Sequence, residues 1–355
     1  MNVLFDINHP AHVHLFKNAI WDLQDDGADV LVTSREKEIT TDLLDAYGIE
    51  YRTISREREG PLSLTIEWAA REVRLLAVAR SFDPDVVVSR LNPPLVHVSK
   101  LLGVPNVIVT DTEIKSGAID AVYSMVTDPF IDVYCTPPGF NRPNRDAEHH
   151  MIDFQELAYL HPEYFTPDPE PLEAEGVDPD ERYFVLRFVA WDAFHDVGYR
   201  GISKEVRREL VSYLDGRGEV YITSEDPLPP EFSDYRLPIP PHLVHHLLYY
   251  ADLYVGDSGT MSSEAAILGT PAVRTNSMVD DDTESIFYEL EEEYGLMFSF
   301  SEERRALQRV RALLNEDEDG ESDDNRWHRK RESLLEDKQN VTRRLVELIR
   351  DKANR

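Results

Sequence analysis

Short apolar runs alternate with longer amphipathic stretches along this chain, and the alternation runs twice, on either side of a proline-dense interval. That order constrains the fold more than any other feature. Two strands in one sheet joined through a helix must pair in parallel, with the helix laid across a face. In the first part, residues 2–5, 29–34, 50–54, 85–89 and 106–110 predict strands, and 12–25, 37–47, 61–82 and 94–102 predict helices. Between 120 and 180 the pattern breaks up around Pro129, Pro137, Pro138, Pro143, Pro162, Pro167, Pro169, Pro171 and Pro179, and the interdomain connection is expected at 166–178. The alternation then restarts, with strands at 183–188, 219–223, 253–255 and 272–274 and helices at 203–214, 244–250 and 262–268. The expectation is α/β, with two successive Rossmann-like, doubly wound units. An acidic run at 315–325 precedes a basic helix predicted over 326–355, whose apolar stripe is Leu334, Leu335, Val341, Leu345, Leu348 and Ile349. The domains are set at 1–170, 171–330 and 331–355.

Charge narrows the partners. The chain has 355 residues and a formal net charge of −31, which repels nucleic acid and anionic membrane. Only eight of its 37 basic residues are lysine, set against 68 carboxylates. A surface so rich in carboxylate and poor in lysine suits concentrated salt, where counterions screen self-repulsion, so the reading is a halophilic protein. The single cysteine, Cys135, allows no disulfide within the chain and no cysteine-based metal site. The sequence starts in a strand-like run, Val3-Leu4-Phe5, without the basic and apolar regions of a signal peptide, and no run has the length of a membrane span. A cytoplasmic protein without stable membrane insertion is expected.

The motif of greatest weight is Gly256-Asp257-Ser258-Gly259-Thr260-Met261, followed by Glu264 and closed by Gly269 and Pro271. An apolar strand ends there in a turn of small residues, and a helix begins. The first amides of a helix lack partners and carry the positive end of its dipole, which makes an anion site suited to a diphosphate. Glu264, one to two turns in, can accept hydrogen bonds from two vicinal ribose hydroxyls. The same residues also suit a serine-capped helix with no ligand. Arg187 closes the strand at 183–188 and can neutralise departing phosphate charge, with His195 and Asp196 following it. Near the start, Asp6 to His14 form a turn holding His9, His12 and His14. A histidine there can act as general base, or can cap the following helix, whereas a zinc site is disfavoured because a strand-to-helix junction sends the rings in different directions. Asp111 and Glu113 follow another strand at its carboxyl end, as acid/base candidates or as a solvated turn. No metal ligands are assigned.

The motif at 256–261 resembles the nucleotide-binding segment of GT-B enzymes, both MurG-type N-acetylglucosaminyltransferases and UDP-N-acetylglucosamine 2-epimerases. The chain more widely, through Asp6-Ile7-Asn8-His9-Pro10-Ala11-His12, Arg187 to Asp196 and Gly256 to Met261, resembles an archaeal family of predicted glycosyltransferases catalogued as a domain of unknown function. The resemblance implies two Rossmann-like domains facing a cleft, with the terminal helix crossing back to the first. It implies diphosphate contacts at Ser258, Gly259 and Thr260, a ribose contact at Glu264, and Arg274, Thr283 and Glu284 near the sugar-nucleotide. His12 falls in the place of the MurG-type histidine, without that turn's glycines. Asp111 and Glu113 are similar in placement to the acidic loop of the epimerases, whose His-Arg-Glu-Asn segment is replaced here by Phe188-Val189-Ala190-Trp191.

Three functions follow as expectations. The first is metal-independent glycosyl transfer from a nucleotide-sugar, taken as a UDP-sugar, with no separate cofactor. Its catalytic candidates are His12, Asp111, Glu113 and His195, and Arg187, Ser258, Gly259, Thr260, Glu264, Arg274 and Glu284 bind the donor. The second is a 2-epimerase-like isomerisation, and the third non-catalytic sugar-nucleotide binding. Acceptor and oligomeric state are open, a lipid-linked saccharide among the acceptors. The predicted helix over 64–78 carries Arg71, Arg74 and Arg80 beside apolar residues, which suits the inner face of a membrane or packing on the sheet.

Overall fold

The computed structural model describes residues 1–37, 39–56, 61–111, 125–138, 147–189, 201–224, 227–279, 285–318 and 325–354, and of these the backbone alone at 61–66, 285, 317 and 318. The chain divides into two compact units, Met1–Tyr164 with Gln339–Arg355, and Phe165–Lys338.

In the first unit seven parallel strands stand in the order β3-β2-β1-β4-β5-β6-β7. They are β1 (Asn2–Ile7), β2 (Asp29–Glu36), β3 (Tyr51–Arg56), β4 (Val86–Arg90), β5 (Asn106–Val109), β6 (Val133–Thr136) and β7 (Glu148–Met151). The inner strands are buried along nearly their whole length, because helices cover both faces of a parallel sheet. The helices are α1 (Pro10–Asp25), α2 (Thr40–Ala46), α3 (Pro61–Phe82), α4 (Pro93–Leu102) and α5 (Leu157–Leu160). His9 caps α1, its Nδ1 accepting the Ala11 N–H at 3.2 Å, with Pro10 preset for the first turn. Leu75 and Ala79 of α3 pack with Leu95 and Val98 of α4 on Leu4 and Val87. Arg71 and Arg74 are turned to the sheet. Arg71 is buried, and Arg74 donates to the Ile54 carbonyl at 2.9 Å, so this helix packs on the sheet as a Rossmann helix does.

The second unit has five parallel strands in the order β12-β11-β10-β8-β9: β8 (Tyr183–Phe188), β9 (Glu219–Ser224), β10 (Leu253–Gly256), β11 (Ala272–Thr275) and β12 (Met297–Phe300). Its helices are α6 (Glu170–Ala174), α7 (Lys204–Asp215), α8 (Val244–Tyr250), α9 (Gly259–Leu268), α10 (Ser285–Tyr288), α11 (Glu303–Glu318) and α12 (Arg326–Asp337). Phe184, Leu186, Val255 and Val273 of the sheet meet Val206, Leu210 and Leu214 of α7 and Val310 and Leu313 of α11.

The chain then returns to the first unit as α13 (Val341–Ala353), which packs on α1, α5 and β4. Thr342 Oγ1 and Asn18 Nδ2 both donate to the Ala158 carbonyl, at 2.7 and 2.8 Å. The single helix expected over 326–355 is thus two. Asn340 stops the first from running on, because its side chain accepts the Arg343 N–H at 3.0 Å and starts a new helix. Strands β6 and β7 lie within the stretch where the alternation seemed to fail.

Candidate functional site

In an open α/β sheet, ligands bind beyond the carboxyl ends of the strands, where the strand order reverses. In the second unit the chain lays β9 on one side of β8 and then β10 on the other, so the reversal falls between β8 and β10. Gly256 is the last residue of β10 and stands in register with Arg187 of β8 and Arg274 of β11. Two arginines therefore flank a glycine at the mouth of the sheet. The glycine is required there, since a Cβ would lie 2.4 Å from the Tyr254 hydroxyl and 2.9 Å from Arg187 Cβ. Arg187 donates to Thr223 Oγ1 at 3.0 Å, and the buried Arg274 guanidinium lies 3.8 Å from the centre of the Phe287 ring.

Beyond Gly256 the turn enters α9. Ser258 is its cap, the hydroxyl accepting the Met261 N–H at 3.3 Å, while Ser262 and Ser263 donate back to the Ser258 and Gly259 carbonyls. The Gly259 and Thr260 amides have no acceptor within the helix. Thr260 is exposed, and Ser258, Gly259 and Met261 are half-buried. Phe287 closes one side, its ring tip 3.0 Å from where a Gly259 Cβ would stand. Asp257 is structural. Its carboxylate accepts the Val189 N–H at 2.8 Å and the Ile202 N–H at 3.4 Å, and its carbonyl accepts from Asn276 Nδ2 at 3.0 Å. Glu264 is buried on α9, and one oxygen, Oε1, is engaged by His245 Nε2 of α8 at 3.1 Å. Sequence reasoning missed His245, Phe287 and Asp257. Of these, Asp257 alone carried a signal, being a charged residue between a buried strand and a capped helix.

The first unit repeats the device. Its reversal lies between β1 and β4, and Asp6 stands in register with Ser89. Asp6 is fully buried and accepts from Arg71 Nη2 at 2.5 Å, Thr33 Oγ1 at 2.6 Å and the Asn92 amide. Arg71 also donates to Ser55 Oγ at 2.6 Å. Just beyond, Asn8 N–H points at His12 Nδ1 at 3.4 Å. Burial, joined by the positive charges of Arg90, Lys37 and Arg71, pushes the His12 imidazole well below its ordinary value, so the ring is neutral near pH 7. The rings of His9 and His12 stand 5.8 Å apart, and His14 is turned away from both. His9 caps α1, His12 faces the turn, and His14 is buried against Tyr47 and Tyr159. Asp111 is ion-paired with Arg90 and accepts from Gln155, so both its oxygens are engaged. Cys135 is fully buried, and burial pushes its thiol up to about 12, which removes it as a nucleophile.

The structure thus brings Arg187, Ser258, Gly259, Thr260 and Arg274 together in the second unit, with Glu264 below them, and holds His12 and Asp111 in the first. Glu113, His195, Thr283 and Glu284 lie outside the described residues, as do Trp191 and Asp280 to Asp282. Among the described residues no group of three His, Cys, Asp or Glu side chains could hold a metal ion, and no helix is long and apolar enough to cross a membrane.

Two parallel-stranded α/β units with these strand orders make the GT-B architecture, the fold of sugar-nucleotide enzymes. Residues 1–137 match the family described as "Protein of unknown function (DUF354)". An uncharacterized protein of Methanocaldococcus jannaschii is 24% identical over 281 residues, 77% of this chain and 81% of that one. The UDP-GlcNAc 2-epimerase of M. jannaschii, solved with UDP-GlcNAc and UDP, superposes with a TM-score of 0.63 at 13% identity, covering 89% of this chain and 93% of that chain. MurG of Acinetobacter baumannii superposes with a TM-score of 0.56 at 14% identity, covering 99% of this chain and 100% of that chain. The resemblance read from the sequence therefore holds for the fold.

Proposed function

We propose that this chain is a glycosyltransferase that moves a sugar from a nucleotide-sugar, a UDP-sugar in the first instance, to an acceptor, with no metal required. One observation carries the reading: the first amides of α9, which have no acceptor within the helix, open at the strand reversal of the second unit, beside Arg187 and Arg274 set either side of Gly256. That combination favours a diphosphate. In this reading Ser258, Gly259 and Thr260 bind the diphosphate, and Glu264 binds the ribose. Arg187 and the helix dipole stabilise the departing diphosphate. His12, neutral near pH 7, takes the proton of the acceptor hydroxyl. Its contact with Asn8 is at the limit of a hydrogen bond and costs little to break. Glu113, His195 and Glu284 keep the candidate roles that the resemblance gives them. The acceptor class stays open, a lipid-linked saccharide included, and a cytoplasmic setting fits the reading.

UDP-N-acetylglucosamine 2-epimerisation in the same fold is the competing reaction. It needs a carbon acid and base, and Asp111 is a poor one with both oxygens already engaged. The test has two parts. A thermal-shift screen of nucleotide-sugars in high salt should give a selective rise for one donor class, by linkage of binding to stability. Glu264→Gln should abolish the rise. The donor is then incubated alone and followed by NMR. It should persist until an acceptor is added, whereas an epimer formed without acceptor would assign the isomerase reaction instead.

A further inference from the structure

Eight lysines stand among 68 carboxylates, so a lysine with no acidic partner is the exception in this chain. Lys100, Lys338 and Lys352 are ion-paired with Asp132, Glu289 and Glu148, and Lys330 donates to the Gly295 carbonyl at 2.7 Å. Lys17, on α1, meets no carboxylate among the described residues. Its ammonium lies instead 4.2 Å from the centre of the Tyr47 ring and 5.9 Å from that of Trp21. The sequence explains the gap. Three and four residues away on α1 stand Val13, His14, Ile20 and Trp21, none of them acidic. Asp22 is taken by the Tyr164 hydroxyl at 2.5 Å, and the acids of α2, Asp42 and Asp45, lie by Tyr51. The titratable groups beside Lys17 are Tyr47 and His14, whose hydroxyl and Nδ1 are 3.3 Å apart.

Aromatic faces attract a cation, but they replace less of its lost hydration than a carboxylate does. Burial prevails and pushes the Lys17 ammonium down to about 8, with no charged neighbour contributing. About a tenth of this amine is then neutral at pH 7, against less than about a thousandth of an ordinary lysine near 10.4. A desolvated, neutral lysine amine is a nucleophile. The side chain is half-buried, not sealed.

We propose that Lys17 is an acylation site, the amine of this chain that small activated acyl donors modify first. The Nζ lone pair attacks the acyl carbon and a C–N bond forms. The bond from that carbon to a phosphate or thiolate leaving group breaks, the electron pair departs with the leaving group, and the surplus amine proton passes to solvent. The amide product is neutral and flat, so it lies against Tyr47 and Trp21 with no buried charge. The site is independent of the nucleotide reading of the second unit.

The full chain, in high salt, is treated with acetyl phosphate at low conversion across a series of pH values, and the occupancy of each lysine is read by peptide mass spectrometry. At about pH 7.5 Lys17 should be acetylated roughly 10-fold faster than the exposed Lys204 of α7, a much larger neutral fraction outweighing lower nucleophilicity and tighter access. That ratio should fall steadily above about pH 8, because Lys17 is by then mostly neutral. Trp21→Glu sets a carboxylate one helical turn from Lys17 and should slow it to the rate of Lys204. If that variant fails to fold, the wild-type pH profile decides alone. Lys17 acetylated no faster than Lys204, a ratio that does not change with pH, or a folded Trp21→Glu that reacts as fast as wild type each overturns the assignment.

Discussion

At the scale of single residues, the least replaceable group outside the second unit's turn is the buried charge at the end of β1. Asp6 and Arg71 are 0% and 3% exposed, and each is the other's counterion. Arg71→Met strands a buried carboxylate, and a loss of about 3–5 kcal/mol is expected in chemical denaturation. The double variant Asp6→Leu with Arg71→Met should recover part of that, since no buried charge is left, while the Thr33 hydroxyl and the Asn92 amide lose an acceptor. His12 sets the pH behaviour. Its folded value lies below the ordinary ~6.5, so as pH falls through that range the unfolded chain binds a proton that the folded chain refuses. Stability is full above about pH 6.5 and declines on the acid side, and His12→Asn should flatten that decline. If His12 is the base, the acid limb of kcat/KM lies below pH 6.5 as well. The sequence exposed the turn and its histidines. It did not expose Arg71, because an arginine among apolar residues on a helix reads equally as an outward charge, and only the partner on β1, far off in sequence, settles its direction.

At the scale of elements, α9 is held from behind by Asp257, whose carboxylate accepts the amides of Val189 and Ile202. Asp257→Ala should leave both amides without an acceptor, and their native-state hydrogen exchange should speed up roughly 10- to 100-fold. Unchanged protection would show that other groups carry these amides. The long apolar strands and amphipathic helices were legible because their periods are distinct. The misses have physical reasons. Strand β7 reads Glu-His-His-Met, an exposed edge strand with no apolar face to betray it. Strand β6 is hidden between Pro129 and Pro137, and β12, Met-Phe-Ser-Phe, is mostly half-buried and lacks the continuous apolar run of the inner strands. Helix α9 begins at Gly259, earlier than the expected 262, because its first turn is held by the Ser258 cap and by no apolar spacing. The contacts of Glu264 and Arg274 were beyond reach, since His245 and Phe287 belong to other helices.

At the scale of the whole molecule, the net charge of −31 is self-repelling, so melting temperature should rise as potassium chloride is raised from about 0.1 to 2 M, well past the point where the screening length falls to ~3 Å. A flat response would remove the halophilic reading. The second prediction concerns α13, which buries Val341, Leu345, Leu348 and Ile349 in the first unit. Each is worth roughly 1.5–3 kcal/mol, so together they rival a domain's whole margin of about 5–15 kcal/mol. Ending the chain at Lys338 should strip exchange protection from β1 and β4 and spare β8 and β10. That helix also sets a schedule for synthesis. Residues of the first unit leave the ribosome early, but Phe165–Lys338 must be translated before its last helix emerges. At ordinary elongation rates the nascent chain waits roughly ten to thirty seconds with the α13-binding surfaces of α1 and α5 uncovered, an interval in which a chaperone that shields apolar surface has something to hold.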